Sequence, residues 1–403
     1  MNPTTTLILG GGFGGLAAAY TLRALIPLDH KIVMIDKTAS FHVGATKTWV
    51  MLGEKSREKI LRDRKSLIPG NVDFLEAEIE AVNPALGEVR TNKGNRKADF
   101  LIIALGADVN MSAVTDIPQH AHTFYTVEGA VRLEKALKAF NGGEIVILIP
   151  RTPFKCPPAP YEAAMLLQNS LAKRGLQESA KISICTVEPL PMPTAGPETG
   201  TFVRGLVEKQ GIGFYPLRKM ARIDGSNKRI FFEDGSTQGY DLLIVIPPHE
   251  SPRVVRDAGL TNQSGWIPVN PKTMQVTVGE SAIPVYAVGD ITSVPLPGRF
   301  KPDVPLVLPK AGVFAASQGV VAAHQIARRI LNKAIAEEFD GKGFCYIEVG
   351  DDRAVKGEGT FFALPNPMMV RREPDRGQFN DKIRWVEQWL AGSFSELLPR
   401  QSK

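Results

Sequence analysis

The chain opens on an apolar run that breaks at a glycine cluster and continues as an alanine-rich stretch (residues 4–25, TTTLILGGGFGGLAAAYTLRAL). A short apolar run bounded by glycine predicts a buried strand, and the spacing after the turn predicts a helix. KIVMID (31–36) repeats the strand signal and ends on Asp36, and ADFLIIALGAD (98–108) is a further buried strand closed by a glycine. The pattern then restarts. A helix is predicted in TVEGAVRLEKALKAF (126–140), a strand-to-helix turn in 142–167, a strand in KISICTVEP (181–189) and a helix near TFVRGLVEKQG (201–211). RIFFEDGSTQGYDLLIVIPP (229–248) reads as a hairpin turning at Asp234–Gly235. A strand in SAIPVYAVGDIT (281–292) ends in Gly289–Asp290, and Ala311, Ala315, Gln318, Ala322 and Ile326 then fall at helical spacing.

Strands alternating with helices, twice over, predict an α/β fold with two nested Rossmann-like dinucleotide-binding domains. Residues 1–113 and 251–330 form the first, interrupted by 114–250 as the second. Residues 331–403 make a small C-terminal region. With 403 residues, 43% of them apolar and 22% charged, the chain is an ordinary globular one with room for sizeable cores. A net charge of +6 is modest, a weak pull toward anionic membrane surfaces at most, and no nucleic-acid motif is present. Three cysteines without a C-x-x-C pair, and six scattered histidines, point to no disulfide scaffold and no metal site. The chain enters a strand almost at once, with no charged leader or cleavage site, which favours a cytoplasmic location. No apolar run is long enough to span a bilayer.

The candidate chemistry lies at the turns. Gly10 allows the tight turn, Gly12 lets a pyrophosphate approach the backbone, and Gly15 lets the helix pack on the strand. The helix N-terminus beyond them meets phosphate with free N–H groups. Asp36 lies 21 positions after Gly15, the distance of a ribose-binding carboxylate. At the second strand-to-helix turn (PRTPFKCPPAPYE, 150–162) the glycines are replaced, and Cys156 stands where a nicotinamide cofactor would be gripped. Its place beside a helix start, one residue after Lys155 and five after Arg151, predicts a favoured thiolate. Asp290, ending VYAVGDI, suits the ribityl hydroxyls of a flavin. The helix after Lys310 aims its positive end at the flavin pyrimidine. Cys345, in GKGFCYIEVGD, lies 189 residues from Cys156, so only the tertiary fold can pair them. Two thiols over one face of a flavin make a redox relay. Cys185, alternating in KISICTV, reads as core. The last predicted helix places Ile383, Val386, Leu390, Phe394 and Leu397 on one face, flanked by Trp385 and Trp389 with Lys382 and Arg384 near. It fits a membrane-interface helix and a helix docked on the core or a sister subunit equally well, so a homo-oligomer stays open.

Taken together, GGGFGGLAAA, ADFLIIALGAD, KCPPAPYE, DLLIVIPPH, VYAVGDI, LPKAG and GFCYIE resemble the sulfide:quinone oxidoreductases over nearly the whole chain. They also resemble the flavin subunit of flavocytochrome c sulfide dehydrogenase, within the wider flavoprotein disulfide reductases that include type-II NADH dehydrogenases. The resemblance implies FAD, held by Gly10, Gly12, Phe13, Gly14, Gly15, Asp36, Lys37, Ile79, Ala104, Gly106, Gly289, Asp290, Lys310, Ala311 and Gly312. On the same likeness FHVGATKTWVMLGE (41–54) wraps the flavin ring, with Thr48 and Trp49 as neighbours. It implies redox-active Cys156 and Cys345, sulfide or a small thiol or persulfide as donor, and a quinone as acceptor. Tyr346, with Phe362, would line the quinone pocket. The enzyme would sit peripherally on the cytoplasmic side of the cell membrane. The third cysteine that many members carry before the KCPP loop is missing from 101–155, which leaves the sulfur substrate open. Three other functions remain: a soluble sulfide dehydrogenase passing electrons to a cytochrome, an NADH:quinone reductase, and a non-enzymatic redox-sensing flavoprotein.

Overall fold

A computed structural model describes residues 2–114, 121–334 and 337–397. Two parallel sheets organise them, as the α/β pattern predicts. In the first, the strands lie in the order Val285–Ala287, Phe100–Ile103, Thr5–Leu9, Lys31–Asp36 and Asp73–Glu76. In the second the order is Gly213–Tyr215, Ala180–Thr186, Gly143–Ile149 and Leu242–Val245. The edge strand Val285–Ala287 pairs with Phe100–Ile103 after the chain has built the second sheet and returned. Central strands such as Leu7, Ile8 and Leu9 are wholly buried, as expected of a parallel sheet covered on both faces. Cys185 is buried beside Leu148 and Leu243 in the second sheet, the core role expected of it.

Helices Phe13–Leu25 and Gly312–Ile330 cross at very close range. A Cβ on Gly319 would lie 2.2 Å from the carbonyl oxygen of Gly14. That close approach sets the start of both helices at the same end of the first sheet, facing one cavity.

The C-terminal region ties the two halves together. Strands Lys342–Gly350, Arg353–Thr360 and Met368–Arg371 form an antiparallel sheet. Ile347 and Val349 enter the core of the second half, while Val386, Trp389 and Phe394 enter that of the first. Helix Arg376–Ala391 is capped by the Asp375 carboxylate, which accepts from the Gln378 N–H, and ends at Gly392 in a left-handed turn, φ 72°. Its Lys382, Val386, Trp389 and Leu390 are buried. The helix is therefore docked on the protein, and Lys382 is an interior group rather than a flanking surface charge. The side chain of Leu397 and residues 398–403 lie outside the described residues. Among the described residues, no helix is long and apolar enough to cross a membrane.

Candidate active site

The glycine turn is built as the fingerprint requires. Gly10 has φ +97°, and a Cβ there would meet the Ala104 carbonyl oxygen at 2.4 Å. A Cβ on Gly15 would lie 1.9 Å from the Gly10 oxygen, whereas Gly12 faces open space. Asp36 accepts from the Gly11 N–H (2.8 Å) and the Thr38 N–H (2.9 Å), and pairs with Arg64 at 3.0 Å. Arg64 is missed by the sequence reading. It is buried, its Nε donates to the Gly11 carbonyl at 2.9 Å, and it braces the turn from below.

A cavity of about 260 Å³ opens from this turn. Gly12, Phe13, Gly14, Thr48, Ala104, Gly106, Gly289, Asp290, Lys310, Ala311 and Gly312 line it, as do both reactive-cysteine candidates. Gly10, Gly15 and Asp36 shape the turn without lining the cavity, and three further residues expected beside the cofactor lie elsewhere. Trp49 turns its indole N–H to Glu348 (2.9 Å), Lys37 is exposed at the surface, and Ile79 sits in strand Ile79–Asn83, paired with Thr91.

The fit to FAD can be read from the lining. The Asp290 carboxyl is deeply set, and its Oδ1 has no hydrogen-bond partner, as suits an acceptor for a ribityl hydroxyl. The N-terminus of helix Gly312–Ile330 points its free amides into the same space. Three lysines gather there. Burial pushes Lys47 down to about 7, helped by the nearby Lys155 charge, and pushes Lys310 down to about 8, opposed by Asp290. These residues would hold FAD and surround its ring with positive charge.

Cys156 and Cys345 stand on the wall between this cavity and a second one of about 380 Å³. Lys310, Ala311 and Phe344 complete the shared wall. Cys156 occupies a left-handed turn, φ 56°, uncommon for a residue with a side chain. Its N–H donates to the Lys310 carbonyl (2.7 Å), and its own carbonyl accepts from Ala159 (2.9 Å). Cys345 lies on Lys342–Gly350 opposite Gly357, where a Cβ would stand in ordinary contact with the sulfur, 3.7 Å away.

The expected thiolate is not what this setting favours. Burial pushes the Cys156 thiol up to about 11, with Glu162 adding to the shift and Lys382 and Lys47 opposing it. The exposure of Cys156 is to the cavities it lines, so protein mass still surrounds the sulfur. Helix Ala159–Lys173 begins three residues later, and Lys155 reaches away to the Ala107 carbonyl (3.4 Å). Cys345 is pushed up to about 12, first by burial and then by Cys156 and Glu162.

Beneath the thiols lies a charge cluster that the sequence reading missed. Lys382 Nζ is 3.0 Å from both oxygens of Glu162 and 2.6 Å from Glu348 Oε1. The Glu348 N–H donates back to Glu162 Oε2 at 2.9 Å. The two carboxylates hold Lys382 above its ordinary value, and burial raises Glu162.

On the other side, a broad cavity of about 900 Å³ shares Val313, Phe344, Tyr346 and Trp385 with the cavity at the glycine turn. Tyr346 thus stands between the two. Phe362 does not join it and packs edge-on against Phe339 (5.5 Å) above Gly341.

Sulfide:quinone oxidoreductases are among the known proteins this chain is similar to. Mouse mitochondrial sulfide:quinone oxidoreductase is 22% identical over 378 residues, 90% of this chain and 80% of that protein. The sulfide-quinone reductase of Aquifex aeolicus is 26% identical over 373 residues, 89% of this chain and 83% of that protein. The crystal structure of the Aquifex aeolicus sulfide:quinone oxidoreductase superposes with a TM-score of 0.84 at 23% identity, covering 98% of this chain and 94% of that one. Residues 4–320 match the family model described as pyridine nucleotide-disulphide oxidoreductase. The chain belongs to that family and is an FAD-dependent oxidoreductase.

Proposed function

We propose that the protein oxidises sulfide, or a related small sulfur nucleophile, at Cys156 and Cys345 and reduces a quinone with the electrons. One observation carries this reading: both thiols line the cavity at the glycine turn and a second chamber behind it. That is the position of a relay between a sulfur donor and a flavin. The named activities of the mouse and Aquifex aeolicus relatives support it. Taking sulfide sulfur to the zero-valent level releases two electrons, and a quinone takes two electrons and two protons, so one sulfur atom balances one quinone. FAD, held by the residues above, supplies the two-electron acceptor between them.

The chain's own residues divide the remaining work. Residues 114–250 present Cys156, and 331–403 contribute Cys345, Tyr346 and the broad cavity, which we assign to the quinone. Lys47, Lys155 and Lys310 favour negative charge in the cavity at the glycine turn. Met368 and Val370 line the broad cavity and are 61% and 64% exposed, an apolar rim suited to peripheral contact with the cytoplasmic membrane face. The loop at 150–156 carries no glycine to cradle a nicotinamide pyrophosphate, which weighs against NADH as donor.

An anaerobic titration tests the reading. Sulfide should bleach the flavin absorbance, a short-chain quinone should restore it, and NADH should do little. Rapid bleaching by NADH with none by sulfide overturns it.

A further inference from the structure

The chamber behind the thiols is lined mostly by apolar groups such as Phe154, Met192, Leu308 and Phe361. Such a lining admits neutral hydrogen sulfide or a neutral thiol far more readily than its anion, because stripping water from an anion is costly. The nucleophile, however, is the anion. A base must therefore wait inside.

Among the described residues lining this chamber there is one carboxyl group, that of Glu188. The other ionisable groups are the two thiols and Lys310. The Lys310 ammonium is engaged: it donates to the carbonyls of Asp290 and Thr292 and lies 3.3 Å over the Trp266 ring. Glu188 is only 4% exposed, and its Oε2 accepts from the Tyr161 hydroxyl at 2.5 Å. Burial pushes its carboxyl up to about 7, opposed by the Tyr161 and Thr186 hydroxyls. The buried Tyr125 hydroxyl has no hydrogen-bond partner and is pushed upward by burial and by the charges of Cys156, Glu188 and Glu162.

Topology explains how the acid came to be there. Asp36 ends the second strand of the first parallel unit, and Glu188 follows Ala180–Thr186, the second strand of the second. In a dinucleotide-binding half this is the ribose carboxylate. With no glycine turn beside it, Glu188 has no phosphate-bound ribose to hold.

We propose that Glu188 is the catalytic base of the sulfur chamber, taking the proton from neutral hydrogen sulfide or a neutral thiol before its sulfur attacks the disulfide form of Cys156 and Cys345, the two-electron oxidation of the pair being what the flavin would supply. The S–H bond breaks, its electron pair stays on sulfur, and the proton goes to the Glu188 carboxylate. In the attack that follows, the new S–S bond forms as the Cys156–Cys345 bond breaks, and its electron pair leaves on the other cysteine sulfur. This role for Glu188 rests on the sulfur-oxidising reading above.

The test is anaerobic stopped-flow bleaching of the holoenzyme by sodium sulfide across pH, with rates expressed per neutral hydrogen sulfide. In the unmodified protein the rate constant should rise with pH through a break near 7. Glu188→Gln should lose the break and fall by about 10²-fold. Glu188→Asp should recover part of the loss. Tyr161→Phe, which removes a donor to the carboxylate, should move the break upward, a shift that a purely structural role would not produce. A Glu188→Gln protein with the original constant and break overturns the proposal. If that variant does not fold, an unmoved break in Tyr161→Phe does so instead. A protein that sulfide never bleaches sinks the functional reading and not this assignment alone.

Discussion

Lys382 Nζ lies 3.0 Å from both carboxylate oxygens of Glu162, joining the C-terminal helix to the helix that follows Cys156 across 220 positions of sequence. The pair is almost wholly buried, and Glu348 completes it at 2.6 Å. One ammonium thus serves two carboxylates directly beneath the reactive thiols.

Removing that ammonium should be expensive. Lys382→Met leaves two buried carboxylates without a counter-ion, and breaking such a pair costs about 3–5 kcal/mol. Thermal unfolding of the holoenzyme at neutral pH should show a much lower midpoint. The folded pKa of Lys382 is raised, so its stabilisation is fully present below the unfolded value, about 10.4. It is lost as pH rises through the folded value, so the gap between the two proteins should close in strong alkali.

The glycine turn separates folding from cofactor binding. Gly15→Ala places a Cβ against the Gly10 carbonyl and should lower the unfolding midpoint, with a cost of about 1–3 kcal/mol. Gly12→Ala meets nothing in the protein. It should keep the midpoint of the apoprotein yet bind FAD more weakly, because the methyl group occupies the path of the pyrophosphate. Titration of apoprotein with FAD distinguishes the two.

Cys156 should alkylate slowly at pH 8 and faster as pH climbs toward about 11. Glu162→Gln removes a negative charge that holds the thiol up. Iodoacetamide labelling of Cys156, followed by peptide mapping, should therefore accelerate by roughly three- to tenfold at pH 8, equivalent to half a pKa unit to one unit.

Cys156→Ser and Cys345→Ser should each cut flavin bleaching by sulfide by at least about 10³-fold. FAD should remain bound, because neither sulfur belongs to the glycine turn or to Asp290. If both variants are bleached at the original rate, the relay is wrong.

Much of this site is visible in the sequence. The Gly10–Gly15 turn with Asp36, the strand-end Asp290 and the two cysteines all carry local signals: glycine spacing, an acid at the end of an apolar run, a thiol among prolines. The lysine–carboxylate cluster has none. Lys382 lies in DKIRWVEQWL, where a charge near an apolar face reads as a solvated flank. Only packing against Glu162 and Glu348 from two other elements makes it interior. Trp49, expected beside the flavin from the resemblance alone, instead turns its indole N–H to Glu348, a partner 299 positions away that no local signal announces. The direction of the Cys156 shift is illegible too: helix-end and lysine arguments are local, whereas burial comes from the whole fold. Glu188 reads as a turn residue after a strand until the chamber beside it is seen.

The order of the three cavities has a kinetic meaning. A donor in the chamber behind the thiols and an acceptor in the broad cavity would lie on different faces of Phe344, which lines both, so electrons and protons are what must pass between them. Under the proposed reaction the wall of Cys156, Cys345, Lys310, Ala311 and Phe344 acts as an electrical partition. Under that reaction donor and acceptor need not be bound together, so each can leave before the other arrives.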